Sequence, residues 1–268
     1  MVRPAEPTDH DTIVRIAASF GFDEPDSGVE HRYLQWISAA GRLLVADLDG
    51  GVVGFGASLP VPAPSSDPAP AVMICDLFVS PDAHGRGLGR QLAAALVSGF
   101  THRITCSSGH PAAIATYHRL GMQPVDTAAY LRGVVGPARS TLRALPAAPN
   151  RGATDRPDLA HHWVERGVQL LEVLDEASTI VGRAMVIDRG DELEVARLVT
   201  SADPGQAIGA VLATLAGERV TTVLRQSAGS AIDACAAAGL AHVDSDTVMA
   251  TSADLLPRAL VAMHPAFC

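Results

Sequence analysis

The apolar positions of this chain change period several times, and they do so in an order that recurs. Val2 to Ala5 reads as a strand, and Thr8-Asp9 follows as a capping pair for a helix that carries Ile13, Ile16 and Ala17 on one face. Helical spacing returns from about Val29 to Ala40, with Tyr33, Trp36 and Ile37 on one stripe. Leu43 to Leu48 and Val52 to Leu59 are strand-like, and Asp49-Gly50-Gly51 between them suits a turn with positive φ, so a hairpin is expected. Pro60 to Pro70 holds five prolines and is expected to be irregular.

Ala71 to Val79 is a continuous apolar strand broken only by Asp76, and after a glycine turn Gly87 to Val97 reads as an Ala/Leu-rich helix. Arg103 to Cys106 is a short strand, Pro111 to Leu120 a helix stopped by Gly121, and Tyr130 to Val135 another strand. Gly136 to Pro157, rich in proline, reads as a linker. The order then returns. Val168 to Leu174 and Thr179 to Val186 repeat the hairpin, with Gly182 under Gly54. Leu198, Gly205, Ile208 and Leu212 fall 120 positions after Phe78, Gly85, Leu88 and Leu92, and Ile232 to Leu240 matches Ile114 to Met122. This predicts a duplication, with domains at 1–135 and 158–268 joined by 136–157, the second copy lacking the opening strand and helix.

Composition narrows the chemistry. All 20 cationic residues are arginine, so any mechanism needing a lysine amine in cis, such as a Walker A loop or a pyridoxal Schiff base, is excluded. With a net charge of −9 and no basic stripe, nucleic acid is not an expected partner. No apolar run has membrane length and the N-terminus shows no signal core, so a cytoplasmic protein without membrane contact is expected. Cys75, Cys106, Cys235 and Cys268 lack C-x-x-C spacing, and His161-His162 has no partner at ligand spacing, so no metal is expected.

The chemistry concentrates in His84-Gly85-Arg86-Gly87-Leu88-Gly89-Arg90. A dinucleotide fingerprint counted from Gly85 needs glycine where Arg90 stands, and so fails. Two readings remain: a plain strand-to-helix turn, or an anion cradle in which glycines let amides approach phosphate at a helix N-terminus. Arg86 and Arg90 would add charge-assisted contacts to a cradle.

Asp76-Leu77-Phe78-Val79-Ser80-Pro81 followed by Gly85-Arg86-Gly87-Leu88-Gly89-Arg90, with Ala113, Tyr117, Gly121 and Met122 downstream, resembles the signature of the GCN5-related N-acetyltransferases (GNAT). The tandem arrangement and all-Arg composition are similar to actinobacterial members of that family. The resemblance implies an α/β (α+β) chain of two tandem acyl-CoA N-acyltransferase folds, each a mixed, mostly antiparallel sheet flanked by helices. It implies that acetyl-CoA lies along Leu77, Phe78 and Val79, with its pyrophosphate on the amides of Gly85 to Arg90, and that an amine attacks the thioester directly in a ternary complex. Tyr117 would then protonate the departing thiolate. Asp76 is either the base or a tether for a neighbouring loop. His84 stands at the family's Arg/Gln place, His110 at a cofactor-contacting Asn, and Cys75 at a Glu that relays the proton.

In the second copy Pro204, Gln206, Ala207, Ala210 and Cys235 replace His84, Arg86, Gly87, Arg90 and Tyr117, so that copy is expected to be degenerate. The acceptor amine stays open, as does the choice between monomer and homodimer. The alternative function is a catalytically silent module that senses acyl-CoA.

Overall fold

The computed structural model describes residues 1–21, 27–63, 66–147 and 167–265. They divide into two compact units. One comprises Met1–Val125 with Val248–Leu255, and the other Asp126–Thr247 with Leu256–Pro265.

In the first unit the elements run β1 (Val2–Pro4), α1 (His10–Ala18), α2 (Ser27–Ala40), β2 (Arg42–Leu48), β3 (Gly51–Val61), β4 (Ala71–Val79), α3 (Leu88–Leu96), β5 (His102–Ser107) and α4 (Pro111–Arg119). The strands lie in the order β1-β2-β3-β4-β5. All pairings are antiparallel except β4 with β5. The β2–β3 turn has Asp49 at φ 52° and Gly50 at φ 86°, the two left-handed residues of a type I′ hairpin. Ile13 and Ile16, on the buried face of α1, are 1% and 6% exposed. Burying such a side chain stabilises the fold by about 1.5–3 kcal/mol.

Two details depart from the sequence reading. The Asp9 carboxylate makes no cap bond to α1, because Arg3 takes it in a two-point contact of 2.7 and 3.0 Å while it also accepts from the Glu6 amide. Pro60 and Val61 continue β3 and pair with Val72 and Ala71. The last β2 partner of β3 is Ser58, so on that side no ladder bond is lost at Pro60.

The second unit contains β6 (Gln123–Val134, from Asp126 onward), β7 (Arg143–Pro146), β8 (Gln169–Leu174), β9 (Ile180–Asp188), β10 (Leu193–Thr200), α5 (Pro204–Thr214), β11 (Arg219–Arg225), α6 (Gly229–Ala237), β12 (Ala241–Ala250, as far as Thr247) and β13 (Leu260–Met263). Its strand order is β12-β6-β11-β13-β10-β9-β8-β7. Within it β7 pairs antiparallel with β8, as β1 does with β2. The opening strand expected to be missing is therefore present, inside the segment read as linker. At four residues, Arg-Ala-Leu-Pro, it is too short to show an alternating pattern. An opening helix before β8, the rest of the linker and His161-His162 lie outside the described residues.

The α5 helix is apolar on almost every side, and Ala207, Ile208, Ala210, Val211 and Leu212 are all 2% exposed or less. They pack with Leu171, Val195, Leu198, Val220 and Leu224 into the core of this unit.

Candidate functional site

Parallel pairing of β4 with β5 covers Ala71 to Ile74 against His102 to Thr105 and then stops, although β4 continues to Val79. On the other side of β4, Ala57 pairs with Asp76 and Ser58 with Ile74, which leaves Cys75 as the extra residue of a bulge. A bulge bends its strand and increases its twist. The last five residues of β4 consequently have no β5 partner, and their peptide groups form one edge of an open wedge.

A cleft of about 920 Å³ occupies this wedge and runs on to the start of α3. Leu77, Phe78, Val79, His84, Gly85, Arg86, Gly87, Leu88, Gly89, Arg90 and His110, all expected from the sequence at the cofactor, line it together. Among the described residues three guanidinium groups, Arg86, Arg90 and Arg119, are on its walls and no carboxylate is, although the chain carries a net charge of −9. None of the three makes an ion pair among the described residues.

The glycine turn is open toward the cleft. Gly85 and Gly87 hold φ of 77° and 76°, conformations that cost an L-residue strain. A Cβ at Gly85 would meet nothing within 4 Å, and one at Gly87 only the Arg90 guanidinium at 3.8 Å. Gly87 is the N-cap of α3 and supplies no side-chain cap. The amides of Gly85 to Arg90 donate to no other group among the described residues; the first bond of the helix runs from the Gln91 amide to the Gly87 carbonyl, 3.1 Å. Unpaired amides at a positive helix end are an anion site. The start of α4 differs, since Pro111 has no N–H and the His110 ring already accepts from the Ala112 amide at 3.2 Å.

The His84 ring donates from Nε2 to the Val79 carbonyl, 2.7 Å away, and so ties the end of β4 to the turn. Tyr117 and Asp76 are not on the cleft wall. Tyr117 is 5% exposed and packs in a cluster with Val72, Ile74, Leu96, Met122 and Met249. Its helix neighbours Ala113 and Thr116 do face the cleft. Asp76 is half-buried and accepts a hydrogen bond from the Tyr33 hydroxyl of α2.

Sequence reasoning missed Phe20, Ser108, Arg119 and the Tyr33 partner of Asp76. Arg119 was legible in principle, because it follows Ala112 and Thr116 at helical spacing on the face of α4 that lines the cleft. Phe20 reaches the cleft through its ring contact with Phe78, 5.2 Å between centroids, which no local pattern encodes.

Residues 11–122 match the acetyltransferase (GNAT) family model. A comparison with curated proteins gives no match. Among solved structures the whole chain superimposes on a putative acetyltransferase from Pyrococcus horikoshii with a TM-score of 0.76 at 16% identity, covering 95% of that protein. A tandem GNAT protein from the clavulanic acid biosynthesis pathway gives a TM-score of 0.66 at 18% identity, with 94% of this chain and 98% of that one covered. A GCN5-related N-acetyltransferase from Sphaerobacter thermophilus gives 0.62 at 10% identity, with 93% and 94% covered. The fold is thus the GNAT fold, with a mixed, mostly antiparallel sheet flanked by helices.

The corresponding places in the second unit are filled from within. Parallel pairing of β10 with β11 stops after Leu193 to Val195, as it does between β4 and β5, but here β13 enters the gap. Met263, Ala262 and Leu260 pair with Arg197, Leu198 and Val199 of β10, and Ala262 also pairs with Leu224 of β11. At the start of α5, Pro204 lacks an N–H, Gly205 donates to the Ser230 hydroxyl at 3.1 Å, and Gln206 donates to the Asp203 carboxylate at 2.9 Å. The Ala207 amide bonds the Asp203 carbonyl at 3.0 Å. Cys235, at the place of Tyr117, is fully buried, and desolvation pushes its thiol up to about 12.

Proposed function

We propose that this chain is an N-acyltransferase that moves an acetyl group from acetyl-CoA to an amine by direct attack in a ternary complex, with one site per chain, in the first unit. The observation that carries the reading is the wedge beside Cys75 to Val79 opening onto a helix start whose amides are unpaired and whose surrounding side chains are cationic. A long ligand with an amide-bearing arm and a pyrophosphate matches both parts. The match of residues 11–122 to the GNAT model supports the same reading. So does the second unit, where β13 and the Asp203 cap occupy the two places such a ligand needs.

When bound, acetyl-CoA supplies an activated thioester. The free edge at Leu77 to Val79 holds the extended arm and directs an amide at the carbonyl as an oxyanion donor. Gly85 to Arg90 anchor the phosphates. Asp76, held by Tyr33, receives the proton of the attacking amine directly or through water, and Tyr117 delivers one to the thiolate. The reading makes the protein a cytoplasmic enzyme of a duplicated, actinobacterial type whose second copy is degenerate.

One observation favours the second reading, a silent acyl-CoA sensor: Tyr117 and Asp76 both stand off the cleft wall. Titration with acetyl-CoA, followed by free-thiol release across a panel of primary amines, separates the two. One equivalent of binding with amine-dependent thiol release is expected. Binding without release under any amine would establish the sensor, and absence of binding would refute both.

A further inference from the structure

We propose that Arg119 is the recognition residue for the 3′-phosphate of the CoA nucleotide, so that the cleft selects CoA over its 3′-dephospho form. The inference rests on the acyl-CoA reading above and goes beyond it by dividing the cationic groups of the cleft between two anions of different charge. CoA carries a pyrophosphate and, separately, a phosphomonoester on the ribose; the latter holds about −1.5 to −2 charges at neutral pH, as phosphomonoesters in proteins do.

The turn at Gly85 to Arg90 has the unpaired amides, the helix dipole and two guanidiniums, and so suits the pyrophosphate. The second helix start on the cleft, that of α4, has no comparable offer, because the His110 ring and Pro111 leave its first amides capped or absent. What the cleft offers the phosphomonoester is then a side chain. Among the described residues that line the cleft, Arg119 is the guanidinium that remains, on α4 instead of the turn.

Its surroundings fit the role. Arg119 is exposed, and its one described bond is from Nη1 to the Ala115 carbonyl a turn back, 3.2 Å, which leaves Nε and Nη2 for a phosphate. The α4 residues that share its cleft-facing side, Ala112, Ala115 and Thr116, are small, and a groove so lined admits a bulky nucleoside along the helix. Arg119 also sits in the last turn of α4, where the helix end is negative. An anion there has no help from the backbone and depends on the side chain.

Isothermal titration of CoA and 3′-dephospho-CoA into the full chain tests the assignment without needing an acceptor. The wild type is expected to bind CoA roughly ten-fold more tightly than dephospho-CoA at low salt, with the difference shrinking as ionic strength rises. Arg119→Gln should weaken CoA by about that factor, leave dephospho-CoA unchanged and abolish the discrimination, while Arg119→Lys restores part of it. Equal affinity of the wild type for both nucleotides would overturn the inference. So would discrimination that survives Arg119→Gln and disappears in Arg86→Gln. If neither nucleotide binds the wild type, it is the acyl-CoA reading itself that fails.

Discussion

Gly85→Ala sets a methyl group at the mouth of the cleft, on a residue held at φ 77° with nothing within 4 Å of the new atom. In the free protein the substitution costs only left-handed backbone strain, about 1–2 kcal/mol, or a fall in Tm of roughly 2–8 °C. Gly99→Ala is the matched control, since Gly99 has φ 82°, equally open surroundings and no place on the cleft. With ligand present the two must separate. A charge-assisted hydrogen bond is worth about 1.5–3 kcal/mol, so losing one amide contact to a phosphate raises the dissociation constant about ten- to a hundred-fold. Acetyl-CoA at a hundred times the wild-type dissociation constant stabilises the wild type by about 2.7 kcal/mol. At the same concentration Gly85→Ala should gain only about 0.4–1.4 kcal/mol. Thermal melts with and without acetyl-CoA read this directly. A full acetyl-CoA-induced rise in Gly85→Ala would refute the cradle.

Tyr117→Phe keeps the packing with Val72, Ile74 and Met249 but removes the hydroxyl. Acetyl-CoA affinity should move little while kcat falls about 10²–10⁴-fold if proton delivery limits turnover; unchanged kcat with chemistry limiting leaves the tyrosine a packing residue. Asp246→Asn addresses the second unit, where burial, with help from Asp244, raises the Asp246 carboxyl above its ordinary range while the Tyr130 hydroxyl donates to it at 2.6 Å. A raised folded-state pKa favours the fold below the unfolded value and loses that contribution as pH climbs through the folded one, so at neutral pH the ionised form costs stability. The asparagine variant should therefore have a higher urea midpoint at pH 7, with the advantage shrinking toward acid pH; a lower midpoint at pH 7 would contradict the argument.

Much of this was legible because it is local. The positive-φ turn at Asp49-Gly50, the α3 helix after Gly87 and the end of α4 at Gly121 follow from residue types, glycine above all, that tolerate the left-handed backbone a turn or helix end requires. The Leu77 to Arg90 wall of the cleft was legible for the same reason, since it is one continuous strand, turn and helix start. What escaped depends on distant partners. The Asp9 carboxylate reads in sequence as a cap for α1, but Arg3 competes for it and is already paired with Asp47 at 2.7 Å. Tyr33 reads as one member of an apolar helical stripe, and only the position of β4 shows that its hydroxyl has a carboxylate to meet.

The strand β12 shows the limit of hydrophobic pattern as a guide to domains. Ala241 to Ser245 are exposed and Val248 to Ala250 are buried, so the strand reads as one element with a polar start. Pattern marks which side of a strand is covered but not by which unit, and here the coverage changes along its length. Up to Thr247 it belongs to the second unit, and from Val248 it belongs to the first. There the Thr251 amide donates to the Arg103 carbonyl at 2.9 Å, beside β5, and Met249 is fully buried in the cluster that holds Tyr117. The first unit's core is thus completed by a segment, Val248–Leu255, that lies far along the chain from α4. Truncating the chain after α4 therefore removes part of the first unit's own core, because the cluster that holds Tyr117 includes Met249.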